Sequence, residues 1–227
     1  MSAATVTAIL RPGQRLSPAE FLRRWDAMPD VKNAELIEGV VYMASPVSSS
    51  HSNFDMLVHT WLGTYEWATP GCSTGCNGTW RMLEDVPQPD VHLRLLAECG
   101  GRSWIEEDYF VGAPEVVVEV SASSTAIDLG PKLNLYERAG VLEYVTVLLR
   151  AKQVVWRYRA GKRFVQLRPG ADGLLRSRVF PGLWLDPAAL LAADKRKLLS
   201  ALRRGLRSPE HLAFKRELRS RRSGARP

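Results

Sequence analysis

The chain has 227 residues, of which 45% are hydrophobic, so it can bury one good core and fits a single domain with an appendage better than two full domains. Its net charge of +7 comes from the C-terminal part, because Lys195–Arg226 holds twelve Lys/Arg and two acidic residues, whereas the remainder holds 19 basic and 22 acidic residues. No stretch approaches the ~20 apolar residues that span a bilayer, and two threonines interrupt the N-terminal apolar stretch Ala3–Leu10, so we expect a cytoplasmic protein without an export signal.

The first third of the chain predicts one short helix, two strands and one long helix. Ser17-Pro-Ala-Glu20 supplies an N-cap and an early proline for a short amphipathic helix. Ala34–Gly39 and Val40–Met43 are typical of two strands around a glycine turn, in which Glu38 is a turn residue. From His51 to Trp67, apolar residues recur every three or four positions, which predicts the first long helix.

A Gly/Cys-rich segment, 70–78, precedes two predicted strands, Thr79–Leu83 and Gln88–Leu93. Zinc needs about four ligands, and no second cysteine pair or paired histidines accompany Cys72 and Cys76, so the segment predicts ordinary cysteines. The odd total of three cysteines also favours a reducing cytoplasm over a secreted disulfide framework. The stretch Trp104–Phe110 has no clear pattern.

The strand Glu115–Val120 is apolar almost throughout, which predicts a central position buried on both faces of a sheet. Ser121–Thr125 supplies capping side chains, and Asp128–Ala139 is predicted to form one helix with Pro131 in its first turn and Gly140 beyond its end.

Three strands separated by short turns then predict a β-meander, and Val179–Leu191 closes the fold. We therefore predict an α/β (α+β) domain over residues 1–194, with a mixed central sheet flanked by helices, and a basic helical or disordered tail over 195–227. Such a tail attracts nucleic acid or another polyanion, or is a solvated extension without a specific partner, and composition favours neither reading.

Glu119 is the residue that points to chemistry, since an ionised carboxylate in a central strand is costly unless it is paired or binds a cation. Asp90 begins a strand directly after Pro89 and is the best candidate for a partner at a sheet end. Two carboxylates that converge, with water and substrate oxygens as further ligands, suit Mg²⁺ or Mn²⁺. The alternative for Glu119 is a structural ion pair with an arginine.

Lys132 lies thirteen residues after Glu119, and Asp128 and Tyr136 are four residues to either side of it. This spacing places the three on one helix face, near the boundary of a side formed by Leu129, Leu133 and Tyr136 that we expect to pack on the sheet. An ammonium beside a bound phosphate stabilises developing negative charge. The alternative is a solvated lysine that pairs with Asp128.

The motifs, taken in order over residues 15–190, resemble the Uma-two family of restriction-endonuclease-like proteins, which have the PD-(D/E)xK nuclease fold. The matching motifs are Glu35-Leu-Ile-Glu-Gly39, Pro89-Asp90, Pro114-Glu-Val-Val-Val-Glu119-Val, Asp128-Leu-Gly-Pro-Lys132-Leu-Asn-Leu-Tyr136, Ala139-Gly-Val-Leu-Glu143-Tyr144 and Phe180-Pro-Gly-Leu-Trp-Leu-Asp186.

The resemblance implies that Asp90 and Glu119 bind the metal and that Glu35 is a further acidic site residue. In that superfamily a lysine commonly follows two residues after the glutamate, where this chain has Ser121, so the resemblance suggests that Lys132 on the next helix takes its role. Restriction-type nucleases often cut both strands as homodimers, although no heptad or exposed apolar stripe in this chain indicates a dimer.

The leading hypothesis is a Mg²⁺- or Mn²⁺-dependent endonuclease that hydrolyses DNA, with Asp90, Glu119, Glu35 and Lys132 at its site and the basic tail on the DNA backbone. Two alternatives stay open: a catalytically inactive nuclease fold that binds nucleic acid or a partner protein, and a hydrolase of another phosphorylated substrate. His51, at the start of the long helix, is either a phosphate contact or simply exposed.

Overall fold

The computed structural model describes residues 9–43 and 46–224. Most of the N-terminal apolar stretch and the last three residues of the predicted tail, 225–227, lie outside them. The helices are α1 (Pro18–Asp26), α2 (Ser49–Ala68), α3 (Thr125–Asp128), α4 (Pro131–Ala139), α5 (Pro187–Leu191), α6 (Lys195–Leu206) and α7 (Pro209–Gly224). The strands are β1 (Ala34–Ile37), β2 (Val40–Met43), β3 (Cys72–Cys76), β4 (Trp80–Arg81), β5 (Val91–Leu95), β6 (Trp104–Glu106), β7 (Tyr109–Val111), β8 (Val116–Ser121), β9 (Glu143–Leu148), β10 (Gln153–Ala160), β11 (Arg163–Gln166), β12 (Leu175–Arg176) and β13 (Trp184–Leu185).

A six-stranded sheet in the order β11-β10-β9-β8-β5-β3 forms the centre of the fold. Strands β8 and β9 are parallel, and the other neighbours are antiparallel, so the sheet is mixed as predicted. All six residues of β8 are buried, in agreement with the central position that its apolar sequence predicted. Strands β9, β10 and β11 follow one another as the predicted meander.

The two faces of the sheet are covered by different helices. One face packs against α2, whose Leu57, Trp61 and Leu62 join the valines of β8 in the main core. The other face packs against α4, where Leu135 and Tyr136 contact Val117 of β8. Because successive strand residues point to opposite faces, Glu119 lies on the same face as Val117 and therefore under α4.

Strands β1 and β2 form the hairpin that the glycine-turn pattern predicted, and this hairpin packs beside α4. Glu38 and Gly39 both adopt positive φ, 51° and 73°, so Glu38 is indeed a turn residue. Backbone hydrogen bonds between Leu36 and Val86 attach β1 to the segment that leads into β5. The hairpin thereby carries Glu35 towards the main sheet.

Two local predictions were wrong in detail, and the structure assigns elements to two stretches for which the sequence predicted none. The helix predicted over Asp128–Ala139 is two helices, α3 and α4, because Gly130 leaves the helical conformation with ψ −103° immediately before Pro131. The strand predicted over Thr79–Leu83 is only the two residues of β4, since Leu83 has φ +56° and belongs to a turn. The Gly/Cys-rich segment contains an edge strand, β3, and the unassigned stretch 104–110 forms most of the β6–β7 hairpin.

The basic C-terminal segment is helical and packs on the sheet domain. Leu198 and Leu202 of α6 and Leu218 of α7 are buried in the same core as α2 and β8. Residues of α6 also contact α2 and β13. The basic side chains consequently project from helices whose apolar sides are part of the main core.

Within the described residues, no helix combines the length and hydropathy that crossing a membrane requires. All three cysteines are free thiols, and Cys72 and Cys99 are buried.

Candidate functional site

The register of the sheet brings Asp90 and Glu119 to the same place. Val91 of β5 pairs with Val118 of β8, so Asp90, one residue before β5, lies beside the C-terminal half of β8. The Asp90 Oδ2 atom accepts a hydrogen bond of 2.6 Å from the backbone N–H of Val120. The half-buried Asp90 carboxylate is thus held next to the residue that follows Glu119.

Glu119 is only 2% exposed, and helix α4 supplies its polar partners. The Lys132 Nζ atom lies 3.0 Å from Glu119 Oε1, and the Tyr136 hydroxyl donates to the same oxygen at 2.7 Å. Both donors come from one face of α4, four residues apart, as the helical spacing predicted. The arginine ion pair considered as an alternative does not occur among the described residues, where the cation is Lys132.

Glu35 reaches the same ammonium group from the β1–β2 hairpin. Its Oε1 atom lies 2.9 Å from Lys132 Nζ and also accepts a hydrogen bond of 2.7 Å from the backbone N–H of Gln88. Lys132 therefore joins two carboxylates that are 84 residues apart in the sequence.

Lys132 itself is buried, which the sequence pattern did not indicate. It is 5% exposed, and the buried side of α4 is formed by Lys132, Leu135 and Tyr136, whereas Leu133 is only half-buried. The alternative of a solvated lysine is therefore wrong. Ser121, which occupies the strand position where the superfamily commonly has lysine, instead donates a hydrogen bond of 2.9 Å to Thr125 Oγ1 at the start of α3.

Burial and the nearest opposite charges shift the pKa values of Glu119 and Lys132 in opposite directions. Burial raises the pKa of Glu119 well above its ordinary value, Lys132 lowers it, and the carboxylates of Asp90, Asp128 and Glu35 raise it again. For Lys132, burial works to lower the pKa, but these four carboxylates together hold the pKa well above its ordinary value. Lys132 thus stays an ammonium ion and faces four acidic groups.

Two further groups that were not predicted as site residues adjoin the centre. The first is Tyr136 of α4, whose hydroxyl donates the hydrogen bond to Glu119 described above. Its position four residues after Lys132, on the same helix face, is the sequence feature that could have identified it. Asp128 is buried, accepts a hydrogen bond of 2.5 Å from Ser124 Oγ, and burial raises its pKa. Its presence adds to the surplus of negative charge.

His51, at the start of α2, lies beside Asp90, with 3.7 Å between His51 Nε2 and Asp90 Oδ2. The contact with Asp90 raises the pKa of His51, although burial opposes it. The histidine is therefore part of the surroundings of the acidic centre and is not simply exposed.

The acidic groups fit a hard divalent cation. Among the described residues, no three His, Cys, Asp or Glu side chains are arranged as a complete metal site. Mg²⁺, however, commonly keeps several waters and binds through one or two carboxylates. Glu119 Oε2 and Asp90 Oδ1 make no hydrogen bond within the described part of the chain, so each carboxylate has an oxygen that is free to bind a cation.

Comparison with known proteins shows the same fold and family. The family model Uma2, described as "Putative restriction endonuclease", matches residues 18–188. One similar solved structure is the "Crystal structure of a putative nuclease belonging to DUF820 from Anabaena variabilis ATCC 29413". It has a TM-score of 0.57 and 16% sequence identity, and the match covers 78% of this chain and 99% of that chain. At this identity the likeness shows the fold alone. No curated protein matches the chain.

Proposed function

The chain belongs to the Uma2 family of restriction-endonuclease-like proteins, and we propose that it is a Mg²⁺- or Mn²⁺-dependent endonuclease that hydrolyses phosphodiester bonds in DNA. The observation that carries the proposal is the convergence of Asp90, Glu119, Glu35 and Lys132 at the end of the central strand pair. A buried cluster with more acids than bases is expensive for a fold to keep unless a cation binds there.

Asp90 and Glu119 would hold the metal ion through their free oxygens. When bound, the ion would act as a Lewis acid on the phosphate and favour ionisation of the attacking water. Glu35 is held by Gln88 and Lys132 at the edge of the cluster, where it would orient a water molecule. In the overall reaction the water oxygen bonds to phosphorus, one phosphorus–oxygen ester bond breaks, and the leaving oxygen receives a proton.

Lys132 has two roles in this proposal. Its ammonium group lowers the pKa of Glu119 and of Glu35 against burial, which raises both, and so favours the ionised carboxylates that bind a cation. Its hydrogen bond to Glu119 Oε1, together with that of Tyr136, sets the orientation of the carboxylate and leaves Oε2 free. Preorganised groups of this kind stabilise charge that develops in the transition state.

A cleavage assay with a supercoiled plasmid and a labelled duplex tests the proposal. We expect cutting with Mg²⁺ or Mn²⁺ and none with EDTA. Asp90→Asn and Glu119→Gln keep the size of each side chain but remove a negative ligand, and each should lower the cleavage rate by about 100-fold or more. The control is Glu137→Gln, since Glu137 also lies on α4 but binds Arg163 and the backbone N–H of Phe164 on β11.

Cutting that survives both site substitutions would refute the assignment of the centre. If the parent binds DNA but does not cut it with either metal, the protein is instead a nucleic-acid-binding member of the fold. If it hydrolyses another phosphorylated substrate through the same carboxylates, the chemistry holds and the DNA assignment fails.

A further inference from the structure

Among the described residues, the lysine that contacts the acidic groups of the proposed centre is not available to the DNA backbone. Lys132 is buried and is engaged by Glu35 and Glu119, and four carboxylates surround it. DNA is a polyanion, and proteins bind its phosphates mainly with lysine and arginine. Exposed cations at the same end of the sheet are therefore needed if DNA is to approach this cluster.

The β9–β10 turn lies at that end of the sheet. Ser121, two residues after Glu119, pairs with Leu148 of β9, and the backbone N–H of Leu149 donates to the Ser121 carbonyl at 2.9 Å. The turn residues Arg150 and Lys152 follow directly. With about 3.3 Å per strand residue and about 4.8 Å between strands, the turn begins on the order of 12 Å from Glu119.

Arg150 and Lys152 are both exposed, and neither has an acidic side chain within 4 Å in the described part of the chain. Their backbone is nevertheless held in place, because the Lys152 N–H donates to the Leu149 carbonyl at 3.3 Å and Leu149 packs against the main core. Lys152 adopts φ +49°, a conformation that favours glycine.

We propose that the β9–β10 turn is a phosphate-binding rim of the centre, in which Arg150 and Lys152 contact backbone phosphates next to the bond that is cut. This inference rests on the proposed DNA-cleaving function. A separation on the order of 12 Å corresponds to about four nucleotide steps of ~3.4 Å along one strand, and the long side chains shorten it further. The contacts carry no sequence information and position the duplex over Asp90 and Glu119.

The test measures binding of a labelled duplex by fluorescence anisotropy at several salt concentrations, with Ca²⁺ in place of Mg²⁺ so that the duplex is retained intact. For Arg150→Gln with Lys152→Gln, we expect the slope of log affinity against log salt to become shallower by about 1.8, which is about 0.9 for each phosphate that the variant no longer neutralises. The affinity should fall by about tenfold at moderate salt. In the cleavage assay, KM should rise and kcat should change little.

The opposite end of strand β10 provides a control, because Lys162 in the β10–β11 turn and Arg163, the first residue of β11, are also exposed, although Arg163 is paired with Glu137. Lys162→Gln with Arg163→Gln removes the same charge at the far end of the sheet and should leave the slope unchanged. Lys152→Gly distinguishes a loss of DNA contacts from a loss of stability. Glycine adopts positive φ without strain, so the unfolding temperature should stay equal or rise while DNA binding becomes weaker.

The outcomes separate this inference from the proposed function. A parent that cuts DNA, together with a turn variant whose slope equals that of the parent, overturns the inference and leaves the function intact. A parent that does not cut but whose DNA binding depends on the turn overturns the function and supports the binding surface. Equal losses of DNA affinity in the turn variant and in the β10–β11 control would show a general effect of charge and overturn the inference. A parent that does not bind DNA would also overturn it.

Discussion

At the scale of single residues, Lys132 decides whether the acidic centre is stable. It is the cation that contacts both Glu119 and Glu35, and it does so from a buried position. Removing one partner of a buried ion cluster leaves a buried charge without compensation, and this lowers the free energy of unfolding more than the loss of an exposed ion pair does. The same lysine therefore supports both the fold and the proposed chemistry.

Lys132→Met should lower the free energy of unfolding by about 3–5 kcal/mol at neutral pH. Burial already raises the pKa of Glu119 and Glu35 above their ordinary values, and without the ammonium group, which lowers both, the pKa of each should rise further. Such groups contribute stability below their unfolded pKa, and that contribution is lost as the pH rises through the folded pKa. Urea unfolding should therefore show a larger loss at pH 8 than at pH 5.

Lys162→Met is the control, because Lys162 is exposed in a turn and its replacement should change stability by less than about 0.5 kcal/mol. A Lys132→Met protein as stable as its parent at pH 8 would contradict the role of Lys132 as the counter-ion of the centre. Added Mg²⁺ should recover part of the loss, since a bound cation also compensates the carboxylates.

At the scale of elements, close backbone contact between α6 and the loop before β13 attaches the C-terminal helices to the domain. A Cβ atom at Gly205 would lie 2.1 Å from the carbonyl oxygen of Gly182 and 2.8 Å from Cγ of Trp184. Only glycine allows this approach. The close packing of α6 against the loop before β13 therefore depends on a glycine at position 205.

Gly205→Ala should destabilise the protein by about 1–3 kcal/mol, because the added methyl group forces α6 away from Gly182. The comparison is Gly63→Ala in α2, where a Cβ atom would meet no other atom within 4 Å. That change should be neutral or stabilise the helix by up to about 1 kcal/mol. Chemical denaturation midpoints of the two variants should therefore move in opposite directions, and equal shifts would show that the crossing is not tight.

At the scale of the whole molecule, the basic helix α7 and the acidic centre contact opposite ends of α2. His51 at the start of α2 lies beside Asp90, and Thr69 directly after α2 shares a hydrogen bond of 2.9 Å with His211 of α7. Eighteen residues of helix separate these two points by about 27 Å. The proposed function therefore predicts that α7 lies near DNA that flanks the cut site and not near the cut bond itself.

An arginine stripe on α6 offers a test of this longer-range contact. Arg196, Arg203 and Arg207 recur at seven and four residues, are exposed and have no acidic partner in the described part of the chain. Replacing all three with Gln should weaken binding of a 30-base-pair duplex and reduce the salt slope by about 2–3. The cleavage rate at saturating DNA should stay unchanged.

A duplex of about eight base pairs gives the internal control, because it spans roughly 27 Å and therefore extends only about 14 Å to either side of a centrally placed cut site. Equal affinity losses for the short and the long duplex would contradict a role for α6 in flanking contacts. Substituting the three arginines is a better test than removing all residues after Asp194. The removed segment would include Leu198, Leu202 and Leu218, which belong to the main core, and their loss would unfold the core.

The sequence by itself determined the central strand, the β-meander, the first long helix and the family, because each depends on local spacing of apolar residues or on motifs in order. It also identified Glu119 as a carboxylate that needs a partner, since a charge inside a buried strand is costly in any fold. The acidic groups around it were predicted from the residues and the resemblance, and their chemical roles remain predictions.

Only the tertiary structure decided how these groups meet. The β5–β8 register places Asp90 beside Val120, and the break at Gly130 sets the direction of α4, which buries Lys132 and brings Tyr136 to Glu119. Sequence spacing does not contain these contacts, because they depend on how separate elements pack. For the same reason, net charge revealed a basic C-terminal segment, whereas only packing placed its helix α7 at the end of α2 opposite the acidic centre, about 27 Å away along that helix.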